Sequence, residues 1–280
     1  MVRKLLLLLL FFATACSNVN VENKENVNLE LQLEKQPEIT VSILKIGKAD
    51  TMLISYEDTH ILLDTGEEDD GEEINQFLRN KNIKSLDYVI LSHFDKDHIG
   101  GADQVLSSVE VKQLLVPSYV KESKQYEQLL EVVAKQRLEA QRITSKETIS
   151  INDFTMQLIP ATKTVYKQEN DYSLVVSVTY KNTSFLFAGD AEEERLQELM
   201  ATENVQHTFL KVPHHGRYND ASEAFFNTVQ AEVAVITDSD KNPADEQTLT
   251  ALKNAGTMVY HTRNGNITIT SNGDTLSVQQ

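Results

Sequence analysis

From position 39 onward the chain alternates short apolar runs with amphipathic stretches. Residues 39–44, 51–56 and 60–63 are rich in Ile, Leu, Val and Thr and predict strands, the third ending at Asp64-Thr65-Gly66. Residues 72–81 carry Ile74, Phe77 and Leu78 on one face and predict a helix. Tyr88-Val89-Ile90-Leu91 is apolar on both faces, as a strand buried on both sides requires. Gly100-Gly101 opens a helix that runs to Ser108, followed by a strand over 111–116 and a long amphipathic helix over 121–141. The second half predicts strands at 155–159, 173–180, 184–188, 207–212, 233–237, 258–262 and 266–270. Helices at 191–200, 222–229 and 245–254 lie between them. Two strand-rich stretches, each interleaved with helices, predict an α/β chain with two sheets and the helices outside them.

The first residues follow a different pattern. Arg3 and Lys4 precede an unbroken apolar run over 5–12, and Ala13-Thr14-Ala15-Cys16 closes it with small residues. The run is short for a membrane span and reads as a secretory signal. The placement of Cys16 resembles the lipobox of bacterial lipoproteins, in which the cysteine becomes the lipidated first residue of the mature chain. Residues 1–16 are therefore expected to be a lipoprotein signal peptide. Residues 17–37, rich in Asn, Glu, Gln and Lys, are expected to be a flexible tether. Residues 38–280 are expected to form the folded domain. The expected location is extracytoplasmic, with the N-terminal lipid attaching the protein to the bacterial cell membrane. Cys16 is the chain's one cysteine, which excludes disulfides from the fold.

Composition narrows the partners. The chain has 280 residues and a formal charge of −16, from 26 Lys and Arg against 42 Asp and Glu. Such a balance favours solubility and opposes nonspecific attraction to polyanions. It leaves a nucleic-acid substrate open, because bound dications reverse the sign locally.

The candidate chemistry gathers at strand ends. Ser92-His93-Phe94-Asp95-Lys96-Asp97-His98-Ile99-Gly100-Gly101 follows the apolar strand at 88–91 and places His93, Asp95, Asp97 and His98 within six positions. Side chains at 93, 95 and 97 point the same way on an extended backbone, whereas Asp97 and His98 diverge. That divergence favours two metal ions over one. The Gly pair is expected to let the backbone turn tightly beneath them. Two further apolar runs end in polar residues of the same kind: 184–188 in Gly189-Asp190, and Leu210-Lys211-Val212-Pro213 in His214-His215-Gly216. By itself Asp190 is better explained as a cap for the helix that begins at Ala191. His60, His207 and His261 are isolated in strand patterns and read as structural.

Taken together, these segments resemble the metallo-β-lactamase fold superfamily, and within it the branch containing the hydrolase domain of the competence protein ComEC. The resemblance covers residues 39–275 and implies a four-layer αββα sandwich. It implies His93 and Asp95 on one metal, Asp97 and His98 on the other, Asp190 as the bridge and His214 as a ligand of the second ion. Asp97 and Asp190 are the candidate catalytic carboxylates. His215 and Arg217 are candidates for contacting substrate, with exchange of roles between His214 and His215 left open and Arg217 also readable as plain surface. Asp64 is expected to orient a ligand histidine.

The implied cofactors are two divalent ions, zinc or manganese, and the implied reaction is cleavage of a phosphodiester by metal-bound hydroxide. Alternatives are hydrolysis of a carboxylic ester, lactone or lactam, or a non-catalytic surface lipoprotein that binds a partner. Two departures stand out. Lactamase-type members carry another histidine before the bridging Asp, where this chain reads Glu169-Asn170-Asp171-Tyr172-Ser173. The Gly-His-Pro segment common in ComEC-like relatives is here Asn242-Pro243-Ala244-Asp245.

Overall fold

The computed structural model describes residues 37–280. The expected signal peptide, Cys16 and the tether up to residue 36 lie outside the described residues. Tyr180 donates its hydroxyl to the carbonyl of Pro37 at 2.6 Å, which ties the first described residue to the second sheet.

The chain builds its first sheet from β1 (Ile39–Ile43), β2 (Met52–Tyr56), β3 (Thr59–Leu63), β4 (Ser85–Ile90), β5 (Glu110–Pro117) and β6 (Ala140–Ile143). The second sheet comprises β7 (Glu147–Ile151), β8 (Phe154–Ile159), β9 (Val175–Tyr180), β10 (Thr183–Phe187), β11 (Phe209–Lys211), β12 (Val233–Ile236) and β13 (Met258–His261). The chain then returns to the first sheet through β14 (Ile267–Ser271) and β15 (Leu276–Gln279). Spatial order is β15-β14-β1-β2-β3-β4-β5-β6 in one sheet and β13-β12-β11-β10-β9-β8-β7 in the other. The strands from β3 to β6 run parallel, as do those from β10 to β13. The remaining pairings are antiparallel; they join strands consecutive in the chain, except that β14 returns to pair with β1.

Alternation along the strands produces three layers of apolar packing. Val41, Ile54 and Ile61 join Met156, Val178 and Phe185 in the buried cluster between the sheets. The opposite faces of the first sheet, with Leu53, Leu62, Val89 and Leu114, pack under helices α1 (Gly71–Asn80), α2 (Lys96–Ile99), α3 (Ala102–Ser108) and α4 (Lys124–Gln136). On the far side, Leu186, Leu210 and Ala234 pack under α5 (Glu193–Thr202), α6 (Ser222–Val229) and α7 (Glu246–Asn254). The result is the four-layer αββα sandwich. Among the described residues no helix is long and apolar enough to cross a membrane.

Several local expectations are corrected. The helix expected over 121–141 stops at Gln136, because Arg137 takes a left-handed backbone with φ 57° and its N–H caps the last turn. The following residues form the parallel strand β6. Gly100 and Gly101 have ordinary right-handed backbone, with φ −59° and −85°, so no turn demands them. Close packing does: a Cβ on Gly100 would lie 2.4 Å from the Glu68 nitrogen, and one on Gly101 would lie 2.4 Å from the Thr65 carbonyl oxygen.

Candidate metal centre

Parallel strands bring their carboxyl ends to one edge, the usual place for a site in α/β folds. Asp64 follows β3, residues 92–98 follow β4, Asp190 follows β10, His214 and His215 follow β11, and Thr237 follows β12. Each is carried there by a strand whose core residues leave it no freedom to shift.

The imidazole of His98 is fixed first. Its Nδ1 donates to Asp64 Oδ2 at 2.8 Å, and the same carboxylate accepts the Ser92 backbone N–H and hydroxyl, each at 2.7 Å. Asp64 holds this position with a left-handed φ of 56°. Ser92 Oγ also lies 3.0 Å from His93 Nδ1. Since that hydroxyl hydrogen is given to Asp64, the serine oxygen accepts from His93. His215 is held in the same way: its Nδ1 lies 3.1 Å from Thr237 Oγ1, whose hydrogen goes to Asp50 Oδ1 at 2.6 Å.

In all three rings the Nδ1 hydrogen is spoken for, and the Nε2 lone pair faces inward. The Nε2 atoms of His93, His98 and His215 are buried without a hydrogen-bond partner among the described residues. They converge on Asp190 Oδ2, at 4.0, 3.3 and 3.0 Å respectively. Asp97 Oδ2 adds a further oxygen 3.4 Å from His215 Nε2. Donor atoms of Asp97, His98 and His215 lie within 4.8 Å of one another, as do those of His93, His98 and Asp190. Orphaned imidazole nitrogens around shared carboxylate oxygens fit a divalent cation and suit little else, because unpaired buried polar atoms are costly. Outer partners that fix each ring's tautomer are the usual companions of metal-binding histidines.

Electrostatics agree. Burial opposes charge on Asp190, yet His215 and His98 outweigh it and hold the carboxyl well below the usual range. Asp97 is likewise lowered against its burial by His215, His98 and Lys48. His93 is pushed by burial, and then by His98, down to about 3, which keeps its Nε2 available as a ligand. For His98 and His215 burial is overcome by Asp190 and its neighbours, and both are raised. Protons and dications thus compete for the same lone pairs.

The structure gathers His93, Asp97, His98 and Asp190 and sets Asp64 behind His98, but four other residues depart from expectation. His215 takes the inward position expected of His214. His214 turns toward Glu192, Nδ1 to Oε1 3.5 Å, and toward Asn170 Nδ2 at 3.4 Å, with a side chain 28% exposed. Asp95 is paired with Lys121 and joins none of the groups of potential ligand atoms among the described residues. Arg217 bonds Asp245 Oδ1 at 2.9 Å and the Pro243 carbonyl at 3.1 Å, so its guanidinium already holds the loop where ComEC-like relatives carry the Gly-His-Pro segment.

Four participants have no counterpart in the sequence reading. Asp50, fully buried before β2, forms an ion pair with Lys211 of β11 and stands behind His215. Lys211 Nζ also lies 3.6 Å from Asp190 Oδ1. Burial of this ammonium is outweighed by Asp50 and Asp190, which raise it. Lys48 pairs with Asp97, and Lys121 with Asp95. The available signal was slight: a lone acid beside a strand at Ala49-Asp50-Thr51, and a lone lysine inside an apolar one.

Comparison with known proteins follows this geometry. The profile of a family described as the metallo-beta-lactamase superfamily matches residues 45–236, more than half of the chain. ComE operon protein 3 of Bacillus subtilis is 29% identical over 222 residues, covering 72% of this chain and 28% of that protein. Recombination protein 2 of Haemophilus influenzae is 29% identical over 217 residues, covering 76% of this chain and 26% of that protein. The chain thus spans about a quarter of the length of these curated relatives. Among solved structures, the metallo-beta-lactamase fold protein YhfI from Bacillus subtilis aligns with a TM-score of 0.58 at 12% identity, over 87% of this chain and 100% of that one.

Proposed function

We infer the function from one premise: the chain belongs to the metallo-β-lactamase superfamily, in its ComEC-like branch. It is a metallo-hydrolase, and the reading we propose beyond that is cleavage of phosphodiester bonds. The observation that carries it is the convergence of the His93, His98 and His215 Nε2 atoms on Asp190 Oδ2. Asp97, His98, His215 and Asp190 would hold a divalent ion, zinc or manganese, with His93 and Asp190 at a neighbouring position. When bound, such an ion activates water as a nucleophile and polarises the bond to be cleaved.

The chain's own residues supply the rest. Asp64, Ser92, Asp50 and Thr237 hold the three imidazoles in one tautomer and orientation. Lys211 balances Asp50 and Asp190, so that the buried carboxylates stay ionised. Lys48 and Lys121 put two ammonium groups beside the centre, where a phosphate anion would be attracted despite the acidic surface. A phosphodiester substrate takes in nucleic acid, and one curated relative is named for recombination.

Hydrolysis of bis-p-nitrophenyl phosphate by metal-loaded protein, with no action on nitrocefin, is the expected result. Turnover of nitrocefin alone would defeat the phosphodiester reading. The proposed attachment, extracytoplasmic through a lipid on Cys16, predicts that Cys16→Ser releases the protein from membranes into the medium. Retention of that variant on membranes would contradict it.

A further inference from the structure

The two ends of the centre are built differently. At one end Asp97, His98, His215 and Asp190 all turn inward, and each of the contacts His215–Asp97, His215–Asp190 and His98–Asp190 is 3.4 Å or less. At the other end stands His93, whose Nε2 is 4.0 Å from Asp190 Oδ2. Its expected companion, Asp95, joins none of the groups of potential ligand atoms among the described residues. Asp95 sits at the start of α2 with extended backbone, φ −73° and ψ 151°, and its carboxylate meets the ammonium of Lys121.

Lys121 is held on its other side by Glu169 Oε2 at 2.6 Å, and its side chain is 17% exposed. Asn170, in the segment that carries a histidine in lactamase-type members, spends its amide on Glu192 Oε1 at 2.9 Å and His214. Lys48 is held on Asp97 from one side only. Its side chain is twice as exposed, 34% against 17%, and it has no second carboxylate among its hydrogen-bond partners in the described residues. It lies at the rim of an open groove with Lys45, Glu67 and Asp70, free to swing aside when an ion claims Asp97.

We propose that the centre takes a single divalent ion tightly, at Asp97, His98, His215 and Asp190, and that the ammonium of Lys121 stands in for the second ion at the His93–Asp95 end. The proposal rests on the metallo-hydrolase reading and refines it. A dication beside a clamped ammonium is repelled and would have to compete with it for the Asp95 carboxylate. A fixed ammonium supplies positive charge there, while the His93 Nε2 stays within reach of the one ion through His98 and Asp190, whose donor atoms lie within 4.8 Å of it and of each other.

The test is metal stoichiometry on the full chain, stripped with chelator and titrated calorimetrically with Mn²⁺ and, separately, Zn²⁺. Elemental analysis after gel filtration provides the second readout. Wild type is expected to hold about one ion per chain, and Lys121→Met about two. Asp95→Asn, left without a charge for Lys121, is expected to stay at about one. This arm also covers a Lys121→Met chain that fails to fold. Two ions of comparable affinity in wild type would overturn the proposal and leave the hydrolase reading standing. A folded Lys121→Met protein that still holds one ion would also overturn it. Absence of any bound ion in wild type would sink both.

Discussion

His214 and His215 both adopt left-handed backbone, with φ 47° and 52°. Two consecutive non-glycine residues in this region cost roughly 1–3 kcal/mol each and survive only where packing enforces them. Here Pro213 begins the turn, and the His214 N–H bonds the Gly189 carbonyl at 3.2 Å, linking it to the strand end that carries Asp190. The turn sends one imidazole inward and the other toward Glu192. His215→Ala is therefore expected to lower turnover by more than the ~10–100-fold lost when an outer partner of a metal ligand is removed. His214→Ala should cost much less. Steady-state kinetics and metal analysis on the two variants decide it, and the opposite order would refute the assignment.

The histidine pair was legible in the sequence because it ends a strand; the choice between its members was not, because it depends on two backbone torsions. The cluster at 93–98 was legible for the same reason as the pair. Asp50 and Lys211 were not, since each is a single polar residue in apolar surroundings and only their meeting across the two sheets gives them meaning. The surroundings of Asp95 were not legible, because spacing cannot reveal that Lys121, in the loop after β5, pairs with its carboxylate.

At the scale of elements, α5 starts without help from its own N-cap: Glu192 gives no side-chain cap. Asp171, from the short turn Glu169–Tyr172, replaces it by accepting the Glu192 and Arg195 backbone N–H groups at 2.9 and 3.1 Å. Arg195 in turn reaches back to the Ser173 and Ile159 carbonyls and pairs with Glu198. The helix and the turn that carries Asn170 therefore position each other. Asp171→Ala is expected to lower unfolding free energy by about 0.5–2 kcal/mol, in the range of a lost cap. Urea titration checks it, and an unchanged midpoint would show that the turn does not cap the helix.

The strands that escaped sequence reading are β6, β7 and β15, all at sheet edges, and the one-turn helix α2 over Lys96–Ile99 replaces the extended backbone expected at 97. Residues Ala140–Ile143 bury only Ile143, and Leu276–Gln279 bury none, so neither segment carries the apolar signal that marks a central strand. The segment before β6 kept the helical period of α4, and only the left-handed Arg137 ended it. The central strands were readable to within one to three residues of their ends, β4 starting at Ser85 rather than Tyr88.

For the molecule as a whole, the two halves meet through apolar packing, and a buried histidine inside the second half adds a response to acid. His207, before β11, has Nε2 2.7 Å from Ser177 Oγ and Nδ1 3.0 Å from the Val205 carbonyl. Its Nδ1 donates to the carbonyl and its Nε2 accepts from the serine, an arrangement that requires the neutral ring. Burial lowers its pKa against the weaker pull of the Val205 carbonyl. Below pH ~6.5 the unfolded chain takes up a proton that the folded chain refuses. The stability His207 contributes is therefore complete above that pH and is lost as pH falls toward the folded pKa. Denaturant midpoints at neutral pH and near pH 5 should differ more for wild type than for His207→Asn. Parallel profiles would contradict this.

The centre itself is tested most directly by a crystal structure of the metal-loaded protein, with anomalous scattering recorded at the absorption edge of the added ion. A peak about 2.0–2.2 Å from the inward atoms of Asp97, His98, His215 and Asp190 is the result expected. An ion bound elsewhere, or no peak in a crystal grown with excess metal, would contradict the account.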